Sequence, residues 1–262
     1  MKPQDIVFVH GVQWQRDMQL KGYSRPLQDL IRSQAPTTEF VFYEALWSDV
    51  IENKERILIS SGETLVKLVK GEVLQALLDF LKVVGHFVGL DSLKNQDKIA
   101  NSKLSEMMDD PGWLGRAISV TLDIVLYLSI YGDDIRSKVR EYINKSDNPV
   151  LMGHSLGSVI LFDILAEDAR NNQLKCRDFL SAASPLGLFK PNEDIATLST
   201  VNWVNLYDPA DLVGFWNPLK KWGYTNPLDS RIKTHELPFY SHVKYWTCSS
   251  IADELVDMAL TA

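Results

Sequence analysis

Short runs of apolar, β-favouring residues recur along the chain, and most of them are followed by a turn and then by a stretch with helical periodicity. The runs occupy residues 6–9, 40–43, 149–152, 178–181, 201–207 and 232–237. Continuous apolar runs of this length are typical of buried parallel strands, which are joined by crossover connections. The alternation predicts an α/β fold, a three-layer α/β/α sandwich around a mostly parallel sheet.

The alternation stops between residues 49 and 131. Apolar residues recur there at three- and four-residue spacing over residues 65–84, which predicts an amphipathic helix. After a turn at Asp110-Pro111-Gly112, a second apolar helix is expected. We therefore predict a helical cap or lid at 49–131, inserted into an α/β core formed by residues 1–48 and 132–262. The apolar faces of this cap have two interpretations, packing against the core or forming the wall of a ligand pocket.

Composition narrows the classes of partner. The 262 residues carry a net charge of −7 without any cluster of Lys and Arg, which argues against a nucleic-acid partner. The histidines show no pair at metal-ligand spacing, the cysteines are isolated and no phosphate-binding glycine loop occurs. We therefore expect neither a metal nor a cofactor.

Two features of the sequence indicate in which cellular compartment the protein is expected. They are its N-terminal residues and its longest apolar run. Residues 1–5 lead straight into a five-residue strand-like segment that is too short and too acidic to be the apolar region of a signal peptide. Residues 117–131 are interrupted by Asp123 and fall short of the roughly 20 residues of a membrane span. With two cysteines and no disulfide framework, these features predict a cytoplasmic protein without a transmembrane segment. Contact of the cap with a membrane surface stays open, and the oligomeric state is not predicted.

The segment Gly153-His154-Ser155-Leu156-Gly157 matches the pattern G-x-S-x-G. It lies between the run at 149–152 and a helical stretch at 159–169, the context in which a serine occupies a strained strand-to-helix turn with its hydroxyl exposed. Side chains two residues to either side would collide with the neighbouring strand and helix. The motif predicts Ser155 as a nucleophile, and the alternative is a serine that only caps the helix.

Together with Phe8-Val9-His10-Gly11 near the start, this motif resembles the lipase and esterase branch of the α/β-hydrolase superfamily. The resemblance covers most of the chain outside residues 49–131. It implies an oxyanion hole formed by the main-chain amides of Leu156 and Val12, with Gln13 as the alternative to Val12. It also implies four residues that border the substrate: His10, Gly11, His154 and Ser184. Of these, His10 is expected to fix its own loop and Ser184 to shape a turn beside the site.

The superfamily has the chain order serine, acid, histidine, so the general base is expected after Ser155. Only His235 and His242 qualify. His242 lies beyond the predicted strand at 232–237, just before the last helix, and is the predicted base, with His235 as the alternative. The run Ser241–Trp246 also resembles the histidine loop of many lipases, in which an aromatic pair packs beneath the catalytic ring.

The acid is expected after the strand at 201–207, where Asp208-Pro209-Ala210-Asp211-Leu212-Val213 offers two carboxylates. Only one is needed to orient the imidazole and stabilise its charged form. Asp211 resembles the superfamily acid, which stands in an Asp-x-Val segment, whereas Asp208 stands before a proline and could hold the turn. Asp211 is the predicted acid and Asp208 the alternative.

These expectations describe a serine hydrolase that cleaves a small-molecule acyl ester or a lipid through an acyl-enzyme. Two other functions remain open. A protein with this fold could bind a ligand or a protein partner without turning it over. A thioesterase, amidase or acyltransferase could use the same three residues, because the pocket rather than the triad selects the acceptor and the leaving group.

Overall fold

The computed structural model describes residues 3–11, 22–50, 127, 131–188, 198–211, 217–234 and 238–261. The chain divides into two compact units, of which the first comprises Met1–Gly11, Asp17–Val50 and Asp133–Ala262. The second comprises Val12–Arg16 and Ile51–Gly132, and its described residues are Tyr127, Tyr131 and Gly132, with both tyrosines buried. The predicted cap at 49–131 therefore lies almost wholly outside the described residues.

The described part of the first unit alternates strands and helices. Its strands are β1 (Gln4–Val9), β2 (Phe40–Ala45), β3 (Val150–His154), β4 (Asp178–Ala182), β5 (Asn202–Tyr207) and β6 (Leu228–Arg231). Its α-helices are α1 (Arg25–Gln34), α2 (Gly132–Ile143), α3 (Leu156–Arg170), α4 (Pro238–Val243) and α5 (Ser249–Thr261). Single-turn 3₁₀ helices occupy Leu186–Leu188, Leu219–Trp222 and Lys244–Thr247.

The six strands form one sheet in the order β2-β1-β3-β4-β5-β6, and every neighbouring pair is parallel. The chain runs from β1 outward to β2 and then returns to the other side of β1 to form β3. The strand order thus reverses between β1 and β3, and ligands of open α/β sheets bind outside the carboxyl ends of the strands at such a reversal. The register pairs Val9 with Gly153, so the segments that follow both strands emerge side by side.

Helices pack on both faces of the sheet. On one face, Leu27 of α1 and Leu255 of α5 share an apolar cluster with Phe8 and Met152 of the central strands. On the other, the ring of Phe162 in α3 lies 5.5 Å from that of Trp203 in β5. The predicted α/β fold with a parallel sheet is confirmed. No helix in the described ranges is long and apolar enough to cross a membrane.

The sixth strand was predicted in the wrong place. The sequence pattern favours residues 232–237, but β6 occupies Leu228–Arg231. The last pair of the ladder with β5 is Tyr207–Arg231, and beyond it the Thr234 amide donates to an Asp208 carboxylate oxygen at 2.6 Å. Residues 235–237 lie outside the described residues.

Candidate active site

The turn that carries Ser155 is a single residue long and strained. β3 ends at His154 and α3 begins at Leu156, so Ser155 alone reverses the chain, with φ 53° and ψ −127°. Such a conformation costs on the order of 1–3 kcal/mol for a residue with a side chain and persists only where its surroundings enforce it. Here the Ser155 amide donates to the Ala182 carbonyl at 2.9 Å, and the Ser155 carbonyl accepts from the Ser158 amide and hydroxyl at 2.9 and 2.6 Å.

Three glycines leave the space that this turn needs. A Cβ on Gly153 would lie 2.6 Å from the Ser158 Cα, and one on Gly157 would lie 2.2 Å from the Val9 carbonyl oxygen. A Cβ on Gly11 would lie 2.6 Å from the Cβ of Ser155 itself. The segment after β1 therefore passes directly against the predicted nucleophile, as the strand reversal leads us to expect.

The Leu156 amide, one of the two predicted oxyanion donors, lies at the start of α3. The first N–H groups of a helix have no acceptor within the helix, and the helix dipole favours negative charge at this end. An amide at this end of a helix can donate to an anion beside Ser155, as predicted for Leu156. The other predicted donor, Val12, and its alternative, Gln13, lie outside the described residues.

His242 and Asp211 form a close pair. The ring Nδ1 of His242 lies 3.0 Å from each of the two Asp211 carboxylate oxygens. The Asp211 side chain has no solvent exposure, whereas that of His242 is 16% exposed. A buried carboxylate at Nδ1 favours the tautomer with its proton on that nitrogen, so Nε2 carries a lone pair that can accept a proton.

The two aspartates of the acid turn have different partners. Asp208 Oδ1 accepts from the Ala210 amide at 2.9 Å, and Oδ2 accepts from the Thr234 amide and hydroxyl at 2.6 and 2.9 Å. Asp208 thus holds the turn and the segment after β6, while Asp211 faces the imidazole. This geometry favours Asp211 over Asp208 as the acid of a triad.

His154 connects the nucleophile strand to the segment that carries His242. Its Nε2 lies 2.7 Å from the main-chain oxygen of His242, and the two ring centroids are 4.9 Å apart. His154 and His242 are 88 positions apart in the sequence. Because Ser155 directly follows His154, this contact brings the main chain of the predicted base close to the strand that leads to the predicted nucleophile. Within the described ranges, Ser155 Oγ makes no hydrogen bond with the His242 ring. Such bonds are often long before substrate binds.

His10 is buried among aromatic rings beside this site. Its ring stacks on Trp47 at 4.9 Å and meets the edge of Tyr23 at 5.3 Å, and its Nδ1 donates to the Gly11 carbonyl at 2.6 Å. Burial lowers the His10 pKa to about 4, against the opposing effects of that hydrogen bond and of Glu44. The neutral ring leaves Nε2 as a buried acceptor, which has no hydrogen-bond partner in the part of the chain that the structure describes. Its observed contacts are those of a residue that fixes the loop after β1.

Ser184 lies beneath the nucleophile turn. Its hydroxyl donates to the Ser158 hydroxyl oxygen at 2.8 Å, because the one Ser158 proton goes to the Ser155 carbonyl, and it accepts from the Leu186 amide at 3.3 Å; its side chain is fully buried. The contact of Ser158 with Ser155 was missed from the sequence. The available signal was the position of Ser158, three residues after Ser155 and one turn into the helix.

Tyr245 was also missed as a part of the acid turn. Its phenolic oxygen accepts the Asp208 amide at 2.7 Å. Burial and the negative charge of Asp211 raise the Tyr245 pKa well above its ordinary value, and a side-chain hydrogen bond to Asp211 contributes as well. The rings of Tyr245 and Trp246 each lie 5.5 Å from that of His154, so this aromatic pair packs on the histidine that precedes Ser155.

No protein-family model matches the chain, and no curated protein matches it in sequence.

Proposed function

We propose that the protein is a serine hydrolase, a lipase- or esterase-like member of the α/β-hydrolase superfamily, which cleaves an acyl ester through Ser155, His242 and Asp211. The observation that carries the proposal is the pair formed by a fully buried Asp211 carboxylate and the partly exposed His242 ring. This pair is linked through His154 to the strained turn of Ser155. Strain of this kind is concentrated at functional sites.

In the proposed reaction, Ser155 Oγ attacks the carbonyl carbon of the ester while His242 Nε2 takes the hydroxyl proton. Asp211 holds the ring and stabilises its positive charge. The negative charge on the substrate oxygen falls beside the Leu156 amide at the start of α3. His242 then donates its proton to the departing alcohol, which leaves an acyl group on Ser155.

Water completes the cycle. His242 takes a proton from a water molecule whose oxygen attacks the acyl carbon, and then returns that proton to Ser155 Oγ as the carboxylic acid leaves. The substrate class that we propose is an apolar acyl ester or lipid. Each acyl methylene that is buried adds about 0.8 kcal/mol to the free energy of binding, so an apolar surface favours substrates with long acyl chains. The apolar periodicity of residues 65–84 supports the proposal that a helical cap supplies this surface.

The test is hydrolysis of p-nitrophenyl esters from short to long acyl chains by the wild type, Ser155→Ala, His242→Ala and the double variant. Ser250→Ala, at an exposed position in α5, is the matched control. Because the triad acts as a unit, each single variant is expected to lose roughly 10⁴- to 10⁶-fold in kcat, and the double variant about as much as either. Turnover that survives in Ser155→Ala would refute the proposal. A wild type that binds esters without cleaving them would indicate a non-catalytic binder.

A further inference from the structure

The position of His242 depends on a short element. α4 spans only Pro238–Val243, and a helix of this length has little stability of its own. Its main chain must therefore be held by contacts with the rest of the protein. Two such contacts reach carbonyls at its C-terminal end, which a helix leaves without internal partners. Thr234 Oγ1 lies 2.9 Å from the Ser241 carbonyl oxygen and shares its one proton between that oxygen and Asp208 Oδ2, while His154 Nε2 lies 2.7 Å from the His242 carbonyl oxygen.

We propose that His154 is a positioning residue, which sets the distance between the nucleophile and the base by holding the main chain of His242. This inference rests on the proposed function and deepens it, since it identifies what fixes the base relative to Ser155. Asp211 orients the ring through Nδ1, but a contact with the ring does not hold the main chain of α4. Thr234 holds that main chain at Ser241, and His154 holds it at His242 itself.

The surroundings of His154 suit such a role. Its side chain is buried, and its ring lies 4.9 Å from that of His242 and 5.5 Å from those of Tyr245 and Trp246. A carbonyl oxygen can only accept, so Nε2 of His154 must carry the proton. Burial, followed by the charge of a protonated His242, keeps the His154 pKa well below its ordinary value. The ring is therefore a neutral donor with its proton fixed on Nε2.

Because His154 directly precedes Ser155 in the chain, its contact with the His242 carbonyl links the nucleophile to the base. His154 is the last residue of β3, and the conformation of Ser155 is fixed by the turn. The same short segment thus carries the nucleophile and anchors the base. A shift of about 1 Å between reacting groups lowers a rate by about 10²-fold, so this contact affects catalysis through the position of His242.

The experiment compares four proteins: wild type, His154→Phe, His154→Asn and His154→Gln. The phenylalanine keeps an aromatic ring against Tyr245 and Trp246 but has no donor. The glutamine places an amide N–H near the position of the imidazole Nε2, whereas the asparagine is one methylene shorter and does not reach the carbonyl. The readout is the second-order rate of Ser155 labelling by a fluorophosphonate, expressed per folded molecule, with thermal unfolding measured in parallel.

We expect labelling to fall about ten- to a hundredfold in His154→Phe and His154→Asn and to return to within a few-fold of wild type in His154→Gln. If the phenylalanine variant fails to fold, the asparagine and glutamine variants still form the comparison. Equal rates in all four proteins, or a glutamine variant as slow as the asparagine variant, would overturn the inference. A wild type that is not labelled at Ser155 would instead overturn the proposed function, so the two failures can be told apart.

Discussion

The two halves of the candidate site are held in different ways. Around Ser155 the main chain is held by close packing and by its own hydrogen bonds. The Val9 carbonyl lies so near Gly157 that a Cβ would not fit there, and Ser155 is hydrogen-bonded through its main-chain amide and carbonyl. Around His242 the structure is held by separate side-chain hydrogen bonds. Asp211 bonds to the His242 ring, and Asp208 bonds to the amides of Ala210 and Thr234.

This difference predicts two kinds of response to substitution. The nucleophile turn is part of the junction between β1, β3 and α3, so a change there should disturb folding and activity together. The acid–histidine half is assembled from individual side chains, so changes there should separate stability from activity. The following variants test this contrast.

The largest expected effect separates the two aspartates of the acid turn. Asp211→Asn should lower kcat by about 10⁴-fold with little loss of stability, because the amide cannot hold the imidazole in the required tautomer. Asp208→Asn is the matched control and should lower the free energy of unfolding by about 1–3 kcal/mol, because Ala210 or Thr234 loses an acceptor. Ester hydrolysis and urea unfolding of both variants measure this. The reverse result would assign the acid to Asp208.

In the nucleophile turn, Gly157→Ala should lose stability and activity at the same time. The new methyl would lie 2.2 Å from the Val9 carbonyl oxygen, and both groups belong to main chains that cannot move independently. We expect destabilisation of at least about 3 kcal/mol, the upper end of what overpacking causes. Thermal unfolding followed by circular dichroism measures it. A variant that unfolds at the wild-type temperature but has no activity would contradict this prediction, because it would show that the turn contributes to activity without contributing to stability.

Acid should destabilise the fold through His10. Its pKa is about 4 in the folded protein and 6.5 as a free side chain, so the unfolded chain binds more protons between these values. Stability is therefore fully present above pH 6.5 and is lost as the pH falls toward 4, by on the order of 3 kcal/mol from this residue. Urea unfolding at pH 7 and pH 5 should show a smaller loss for His10→Gln than for the wild type. An identical loss would mean that His10 is not buried as a neutral ring.

The smallest effect is expected for Tyr245→Phe. The change removes the acceptor of the buried Asp208 amide and the hydroxyl that bonds to Asp211, and it should lower the free energy of unfolding by about 1–2 kcal/mol. Tyr43→Phe in β2, whose ring is half-buried, is the control and should be neutral. Calorimetry of both proteins measures the difference. Equal melting temperatures would show that water satisfies the Asp208 amide.

What could be predicted from the sequence was local. The strand β3, the turn at Ser155 and the helix α3 follow from a few adjacent residues, because apolar runs and glycine spacing act over short distances. β6 was misplaced because residues 232–237 also favour strand, and the side-chain contact that Thr234 makes instead of a strand pair is with Asp208, 26 positions away. The anchoring of His242 by His154 spans 88 positions, so no local pattern indicates it.

The central claim is that Ser155 is a nucleophile activated by His242 and Asp211. It is tested most directly by treating the protein with a fluorophosphonate and locating the adduct by peptide mass spectrometry, in the wild type and in His242→Ala and Asp211→Asn. We predict a single adduct on Ser155 in the wild type and labelling that is orders of magnitude slower in both variants. An adduct on another residue, or labelling of Ser155 at the same rate in all three proteins, would contradict the account.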